Sequence, residues 1–242
     1  MKNPDLTLIF PAYNEENIIQ NTLDRSVAYL TKLNLNWEII VVDDGSRDKT
    51  AAIVRKYGNK NVKLLKSGKN MGKGAALKKG MQAAEGHYII FSDVDLSVDI
   101  KKVKDFLEAL KSTDVAIASR RTKGSDIVVH QPIARESMGK VFTTLTRTIM
   151  GVNLSDFTCG FKGFRRAAAK DIFSHALINR WVYDAEILFL AHKYGYEIKE
   201  IPVAWKNRKD TKVKLFDAVV TSLRDLLLIR WWNIQGKYEK AS

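Results

Sequence analysis

The amino-acid sequence predicts an α/β fold: a mainly parallel central sheet flanked by helices, followed by C-terminal amphipathic helices. Two observations carry this. Short β-branched runs at Leu6–Phe10, Trp37–Val42, Val62–Lys66, Tyr88–Ser92 and Val115–Ser119 alternate with segments of helical period, the order in which βαβ units lay down parallel strands. Two of these runs lead straight into carboxylates, Val41-Val42-Asp43-Asp44 and Phe91-Ser92-Asp93-Val94-Asp95, and parallel strands present ligand-binding groups at their carboxyl ends.

Between the first two strands, Ile19, Leu23, Val27, Leu30 and Leu33 step by three or four residues. That is the spacing of one helix face, with Asn14 as the expected N-cap. The same spacing predicts helices over 47–57, 73–85 and 100–111, so residues 1–120 read as a nucleotide-binding half. Residues 121–242 are less regular, with helices predicted over 134–150, 181–194 and 213–232 and a strand over Glu197–Trp205. No linker composition divides the chain, so 1–242 is expected to be one domain whose second half serves as acceptor, lid and membrane-facing region.

Forty Lys and Arg against 27 Asp and Glu give a formal net charge of +13, which calls for an anionic partner. No zinc finger, RNP aromatic pattern or helix-turn-helix accompanies the charge, so nucleic acid is excluded as that partner. Cys159 is the only cysteine. It rules out an intrachain disulfide, fits a reducing compartment, and is expected to pack as a small apolar group without chemistry. The longest unbroken apolar run, Ile187–Ala191, is far short of the roughly 20 residues that span a bilayer, and no charged-then-apolar leader is present. The four histidines lack metal-ligand spacing; His130 stands out only because it lies between Arg120 and Arg135.

The spacing Asp93-x-Asp95 lets two carboxylates approach one hard cation, and Mg²⁺ characteristically takes one or two carboxylates plus substrate phosphate oxygens. Gly68-Lys69-Asn70-Met71-Gly72-Lys73-Gly74 invites a P-loop reading, which requires four residues between the glycines and Ser or Thr after the Lys. Here three separate Gly68 from Gly72, and Gly74 follows Lys73. The segment is instead expected to turn tightly from strand to helix beside a nucleotide, with Lys73 reaching it.

Taken in order, Pro11-Ala12-Tyr13-Asn14-Glu15, Asp43-Asp44-Gly45-Ser46, Asn70-Met71-Gly72-Lys73-Gly74 and Asp93-Val94-Asp95 resemble the inverting family 2 glycosyltransferases of the GT-A fold. The resemblance implies a nucleotide-sugar donor, with Pro11, Ala12, Tyr13, Glu15 and Asp43 or Asp44 around base and ribose. It places Asp93 and Asp95 against the diphosphate and its Mg²⁺ or Mn²⁺. In the second half, Ala118–Arg121, His130-Gln131, Asp156–Phe164, Trp181–Glu186 and Ile201–Trp205 resemble the dolichyl-phosphate glucosyltransferase and mannosyltransferase branch, the glucosyl type fitting best. That implies a UDP-sugar ahead of a GDP-sugar, a polyprenyl phosphate acceptor, and work at the cytoplasmic face of a membrane. Some polyprenyl-phosphate relatives carry a metal-binding Gln two positions beyond the second Asp, where this chain has Ser97.

A phosphate acceptor carries about −1.5 to −2 charge at neutral pH, so it needs no general base. It needs cations, and the planar fork of Arg suits it. Arg120 and Arg135, matching family positions for the acceptor phosphate, are the expected catalytic cations beside Asp95, with Lys206, Arg208 and Lys212 expected to close over the donor. The competing reading, a family 2 enzyme acting on a soluble or polymeric hydroxyl, requires a general base, for which Asp184 or Glu186 is the available choice. A lipid acceptor also requires a membrane surface. Met138, Val141, Phe142, Leu145 and Ile149 share one face of the helix predicted over 134–150. Phe216, Val219, Val220, Leu223 and Leu227 share one over 213–232, which ends in Arg230-Trp231-Trp232. Such faces suit the headgroup region of an anionic leaflet.

Overall fold

The computed structural model describes residues 3–129, 133–206 and 215–240. Seven strands form the central sheet: β1 (Leu6–Ala12), β2 (Trp37–Asp43), β3 (Val62–Lys66), β4 (Tyr88–Ser92), β5 (Val115–Ser119), β7 (Phe161–Arg165) and β8 (Ile198–Pro202). Their order is β3-β2-β1-β4-β7-β5-β8, and only β7 runs antiparallel to its neighbours. β6 (Asp126–Val129) and β9 (Ala204–Lys206) make a separate parallel pair. β1, β2 and β5 are nearly all apolar and buried along their length, as expected of strands covered on both faces.

Helices supply the covers. α3 (Lys73–Ala83), α6 (Arg166–His175) and α7 (Tyr183–Lys193) close one face over Ile9, Ile40, Phe91, Ile117 and Phe164. α1 (Ile19–Leu30) and α4 (Val103–Leu110) close the other over Leu8, Phe10, Ile39, Val41 and Ile90. Neighbours in one strand go to opposite faces because side chains alternate across a sheet. α2 (Thr50–Lys56) packs beside β3, while α5 (Ile133–Met150) and α8 (Leu215–Ile234) pack on each other and on α7.

The predicted strands and helices are present, with corrections. Asn14 does not cap α1: the helix starts at Ile19 with no side-chain cap, and Asn14 sits at φ +55° with its amide oxygen accepting from Arg47 N at 2.9 Å. The predicted 19–33 helix stops at Leu30, tightens into a 3₁₀ turn and ends where Asn34 turns left-handed at φ +50°. The segment over 100–111 opens with another 3₁₀ turn, its start capped by the Asp99 carboxylate on Lys101 N. The strand over 197–205 breaks at Val203 into β8 and β9. β6, β7 and α6 were not predicted; β7, Phe-Lys-Gly-Phe-Arg, hides its strand character behind a charge and a glycine.

The amphipathic helices are present but turned. In α5, Phe142, Ile149 and Met150 pack on the core beside buried Thr143 and Thr146, while Val141 and Leu145 face outward. In α8, Ser222, Asp225, Leu226 and Ile229 face inward, whereas Leu227, Trp231 and Ile234 are exposed. The stripe read on α5 is therefore split between core and surface, while on α8 the core-facing Leu226 and Ile229 lie outside the stripe that was read, of which Leu227 is exposed and Leu223 half-buried. The side chains of Met138, Phe216, Val219 and Val220 lie outside the described residues. Among the described residues, no helix is long and apolar enough to cross a membrane.

Candidate active site

The carboxyl ends of β1, β2 and β4 converge, and hydrogen bonds fix their loops. Ala12 O accepts from Asp44 N at 2.8 Å, joining the ends of β1 and β2. Ser46 and Thr50 hydroxyls accept from Asn14 N and Glu15 N at 2.9 and 2.8 Å, which sets the Pro11–Glu15 loop with Tyr13 exposed at its tip. Asp43 is fully buried; one oxygen accepts from Ser46 N at 3.2 Å, and the other has no partner among the described residues. Asp44 is tied to the main chain. Its two oxygens accept from Met71 N at 3.0 Å and Gly72 N at 2.8 Å, so it shapes the 70–72 turn.

That turn aims Lys73. Gly72 has φ +104°, a conformation costly for any residue with a side chain, and a Cβ there would lie 2.5 Å from Asn179 O. Lys73 begins α3, and its ammonium reaches the Asp93 carboxylate and lies 5.7 Å from the centre of the Tyr183 ring. Burial alone would lower the Lys73 pKa, but Asp93, with Tyr183 and Asp184, holds it well above the ordinary value.

Asp93 and Asp95 lie at the end of β4, partly exposed. Leu96 takes the left-handed φ of +50°, an uncommon and strained choice for Leu. The turn lets Ser97 reach back: its N and Oγ donate to the two Asp95 oxygens at 2.9 and 2.6 Å. Ser97 thus holds the second aspartate in place. Asp93 is backed by Gly160, whose O accepts from Asp93 N at 3.1 Å, and a Cβ on Gly160 would fall 2.0 Å from Asp93 Oδ2. A carboxylate pressed into a cradle that only glycine leaves open, two residues from a second one, fits a hard divalent cation completed by phosphate oxygens and water. Among the described residues no cluster of three or more His, Cys, Asp and Glu side chains forms a closed cage.

The acceptor-side cations fall differently. Arg120 Nε and Nη2 donate to the buried Asp156 carboxylate at 2.7 and 2.9 Å, and Nη2 also donates to Thr158 Oγ1 at 2.9 Å. Its fork, expected for a phosphate, is therefore closed by protein, and Nη1 is the edge that neither Asp156 nor Thr158 engages. The guanidinium rests 5.2 Å from the centre of the Trp205 ring. Burial works against both charges, yet each holds the other: Arg120 is raised and Asp156 lowered. Arg135 lies on α5 with its side chain outside the described residues, as is that of Lys206 on β9; His130, Gln131, Arg208 and Lys212 lie outside them altogether.

Both general-base choices of the hydroxyl-acceptor reading are engaged. Glu186, fully buried, accepts from Leu177 N and Ile178 N at 2.8 Å each and from the Tyr238 hydroxyl at 2.6 Å, and burial raises its pKa. Asp184 is paired with Lys162, a lysine with no exposed surface that also donates to Cys159 O at 2.7 Å. Cys159 is buried, and burial pushes its thiol up to about 12, in keeping with an inert packing role. Sequence reasoning missed Gly160, Lys162 and Asp156 as site residues. Their signal was present in the Asp156–Phe164 motif, but a fold was needed to bring it beside Asp93.

A profile described as Glycosyl transferase family 2 matches residues 7–173. A dolichyl-phosphate beta-glucosyltransferase of Trichomonas vaginalis is 38% identical, the match covering 96% of this chain and 74% of that protein. The Dictyostelium discoideum dolichyl-phosphate beta-glucosyltransferase is 32% identical over 98% of this chain and 77% of its own length. Among solved structures, glucosyl-3-phosphoglycerate synthase from Mycobacterium tuberculosis, in complex with Mn²⁺ and UDP-glucose, superposes with a TM-score of 0.66 at 18% identity, over 92% of this chain and 79% of that one. That likeness is one of fold. The sheet order, the acidic strand ends and these matches together place the chain in glycosyl transferase family 2, alongside the dolichyl-phosphate beta-glucosyltransferases.

Proposed function

We propose that this chain transfers glucose from UDP-glucose to a polyprenyl phosphate of the dolichyl type, with inversion and with a divalent cation, Mg²⁺ or Mn²⁺, held by Asp93 and Asp95. The observation that carries the reading is the state of the carboxylates. Those able to meet a cation stand partly exposed at the end of β4, Asp93 beside the movable Lys73 and Asp95 held by Ser97, whereas the two that could serve as general base are buried and engaged: Glu186 by main-chain amides and Asp184 by Lys162. Such a site suits a nucleophile that arrives deprotonated, as a phosphate monoester does. The names of the curated relatives support the glucosyl and dolichyl parts, and the Mn²⁺ and UDP-glucose of the structural neighbour support the donor and cation.

In the reaction, an acceptor phosphate oxygen forms a bond to the anomeric carbon as the bond from that carbon to the diphosphate oxygen breaks, and UDP leaves with the electron pair. No proton need be removed. The cation, when bound, supplies positive charge to the leaving diphosphate. The chain's own groups do the rest. Lys73 adds charge on the donor side, Ser97 holds Asp95 in place, and the buried acceptor oxygen of Asp43 offers the donor's base or ribose a hydrogen bond. Arg120 Nη1, preset by Asp156, offers the acceptor phosphate charge-assisted hydrogen bonds.

The membrane side of the proposal rests on α8 and α5, whose exposed Leu227, Trp231, Ile234, Val141 and Leu145 accompany Arg224 and Arg230 on a chain of net charge +13. These suit peripheral contact with an anionic leaflet, on the cytoplasmic face that the reducing-compartment reading of Cys159 favours. Incubation with labelled UDP-glucose, Mn²⁺ and polyprenyl phosphate in vesicles tests the function. Organic-extractable label is expected. Its absence with every common UDP- or GDP-sugar rejects the proposal.

A further inference from the structure

The charge around Asp93 is unevenly arranged. Lys73 occupies one of its oxygens and the Gly160 backbone crowds the other. The Tyr183 ring lies under the Lys73 ammonium, and its hydroxyl is buried beside it. The Lys162–Asp184 pair adds a second lysine and a further carboxylate to the neighbourhood. Counting Asp95, three carboxylates face two ammonium groups, one negative charge in excess. A divalent cation added while Lys73 stays in place reverses that sign and sets two cations on one carboxylate. A diphosphate brings the negative charge that relieves this.

The two lysines differ in freedom. Lys162 has no exposed side-chain surface, whereas that of Lys73 is 30% exposed. The backbone beneath Lys73 is pinned, with Gly72 against Asn179 O and Ala75 N donating to the same oxygen at 3.1 Å. Movement at this point is therefore a change of side-chain rotamer on a fixed helix start.

We infer that Lys73 is the resting counter-ion of Asp93, and that it leaves the carboxylate for the donor's diphosphate when the divalent cation binds, so that cation and donor enter the site as a coupled pair. The inference rests on the proposed donor and cation and adds their order of dependence: coupling between two ligands is reciprocal, each tightening the other by the same factor. Without the diphosphate, the cation must displace an ammonium that has nowhere favourable to go. With it, one exchange satisfies all the charges.

The test measures Mn²⁺ binding to the full chain by the spin-resonance signal of free Mn²⁺, with and without UDP and with no acceptor present. The wild type is expected to bind Mn²⁺ weakly alone and at least about tenfold more tightly with UDP, within the usual range of coupling. Lys73→Met, which keeps the length and removes the charge, is expected to bind Mn²⁺ alone about tenfold more tightly than the wild type and to lose most of the UDP effect. Lys73→Gln repeats the measurement should the Met variant fail to fold, and Lys73→Arg is expected to keep the wild-type pattern. Asp93→Asn is expected to abolish binding in both conditions. A neutral variant that binds Mn²⁺ alone no more tightly than the wild type, or that keeps the full UDP effect, overturns the exchange while leaving the proposed function standing. Failure of the wild type to bind Mn²⁺ even with UDP removes the cation from the proposed function, and the exchange with it.

Discussion

Lys162 and Lys73 each pair with a carboxylate beside the same strand end, yet the two regions around them are built to opposite purposes. Lys162 projects from the middle of β7, sealed from solvent, tied to Asp184 and to Cys159 O and set 5.5 Å from the centre of the Phe91 ring. Lys73 stands at the start of a helix, partly exposed, with Asp93 as its carboxylate partner. A buried pair cannot open without leaving charge in a low-dielectric interior. A pair at the rim can exchange partners. The first region sets the geometry of the site and the second leaves room for chemistry, so substitutions in the two should separate stability from turnover.

The largest effect is expected at the rim. Asp93→Asn removes a cation ligand and the partner of Lys73 together, and transfer should fall by about 10³-fold or more, the scale on which lost charge stabilisation acts. Because Asp93 is partly exposed, the melting temperature should stay close to that of the wild type. An Asp93→Asn enzyme retaining more than about a tenth of wild-type kcat/KM would remove this carboxylate from the mechanism.

Gly160→Ala probes the seam between the two regions. The added Cβ would sit 2.0 Å from Asp93 Oδ2, so the carboxylate must move. A displacement of about 1 Å costs on the order of 10²-fold in rate. A large loss of kcat/KM with folding retained is the expected outcome, measured by initial rates and thermal melts on the same sample.

Lys162→Met should act through stability. It leaves Asp184 without its partner, and breaking a buried pair costs about 3–5 kcal/mol. Adding Asp184→Leu should restore much of that loss in denaturant titrations, since an apolar replacement of both partners is often neutral. If the single variant is as stable as the wild type, Lys162 belongs with Lys73 among the movable groups and the contrast fails.

How much of this was legible from residues alone follows the same divide. β1, β2, β4 and the carboxylates at their ends were readable because parallel strands buried on both faces are written as continuous apolar runs, and Asp43 and Asp93 stop those runs abruptly. What the carboxylates do was less readable. Asp43 and Asp44 are neighbours in sequence, yet one has a buried oxygen without a donor and the other holds the 70–72 turn; only the path of the loop after β3 decides which. Arg120 was found by type and position, but Asp156, 36 residues on, takes its fork. Antiparallel β7 was missed because Lys162 interrupts its apolar pattern, and that same lysine is the counter-ion the interior requires. Local periodicity reports elements, while pairings across tens of residues report the site.

The Arg120–Asp156 pair offers a titration of its own. Asp156 is held below its ordinary value of 3.8 by Arg120, against the burial that would raise it. A carboxylate depressed in the folded state contributes stability that is complete above its unfolded value and is lost as pH falls through its folded value. Wild-type stability should therefore decline below about pH 4. Asp156→Asn should flatten that part of the pH curve while lowering stability at neutral pH, where Arg120 is left without its fork partner.

The smallest effect is expected farthest from either lysine, on the outer face of α8. Trp231 is 56% exposed and Leu227 61% exposed, one helical turn apart and flanked by Arg224 and Arg230. An exposed side chain outside any cap or network contributes little to folding, so Trp231→Ser should change stability by no more than about 0.5 kcal/mol. At a lipid surface the same ring would bury apolar area, and losing on the order of 1 kcal/mol of it lowers partitioning about fivefold. Co-sedimentation with anionic vesicles should show that decrease, with turnover on a short-chain, water-soluble phosphate acceptor unchanged. Equal sedimentation of the two proteins would mean that the exposed apolar face of α8 meets something other than lipid, and that the inward turn of Asp225 and Ser222 has left an outer face with no role in membrane contact.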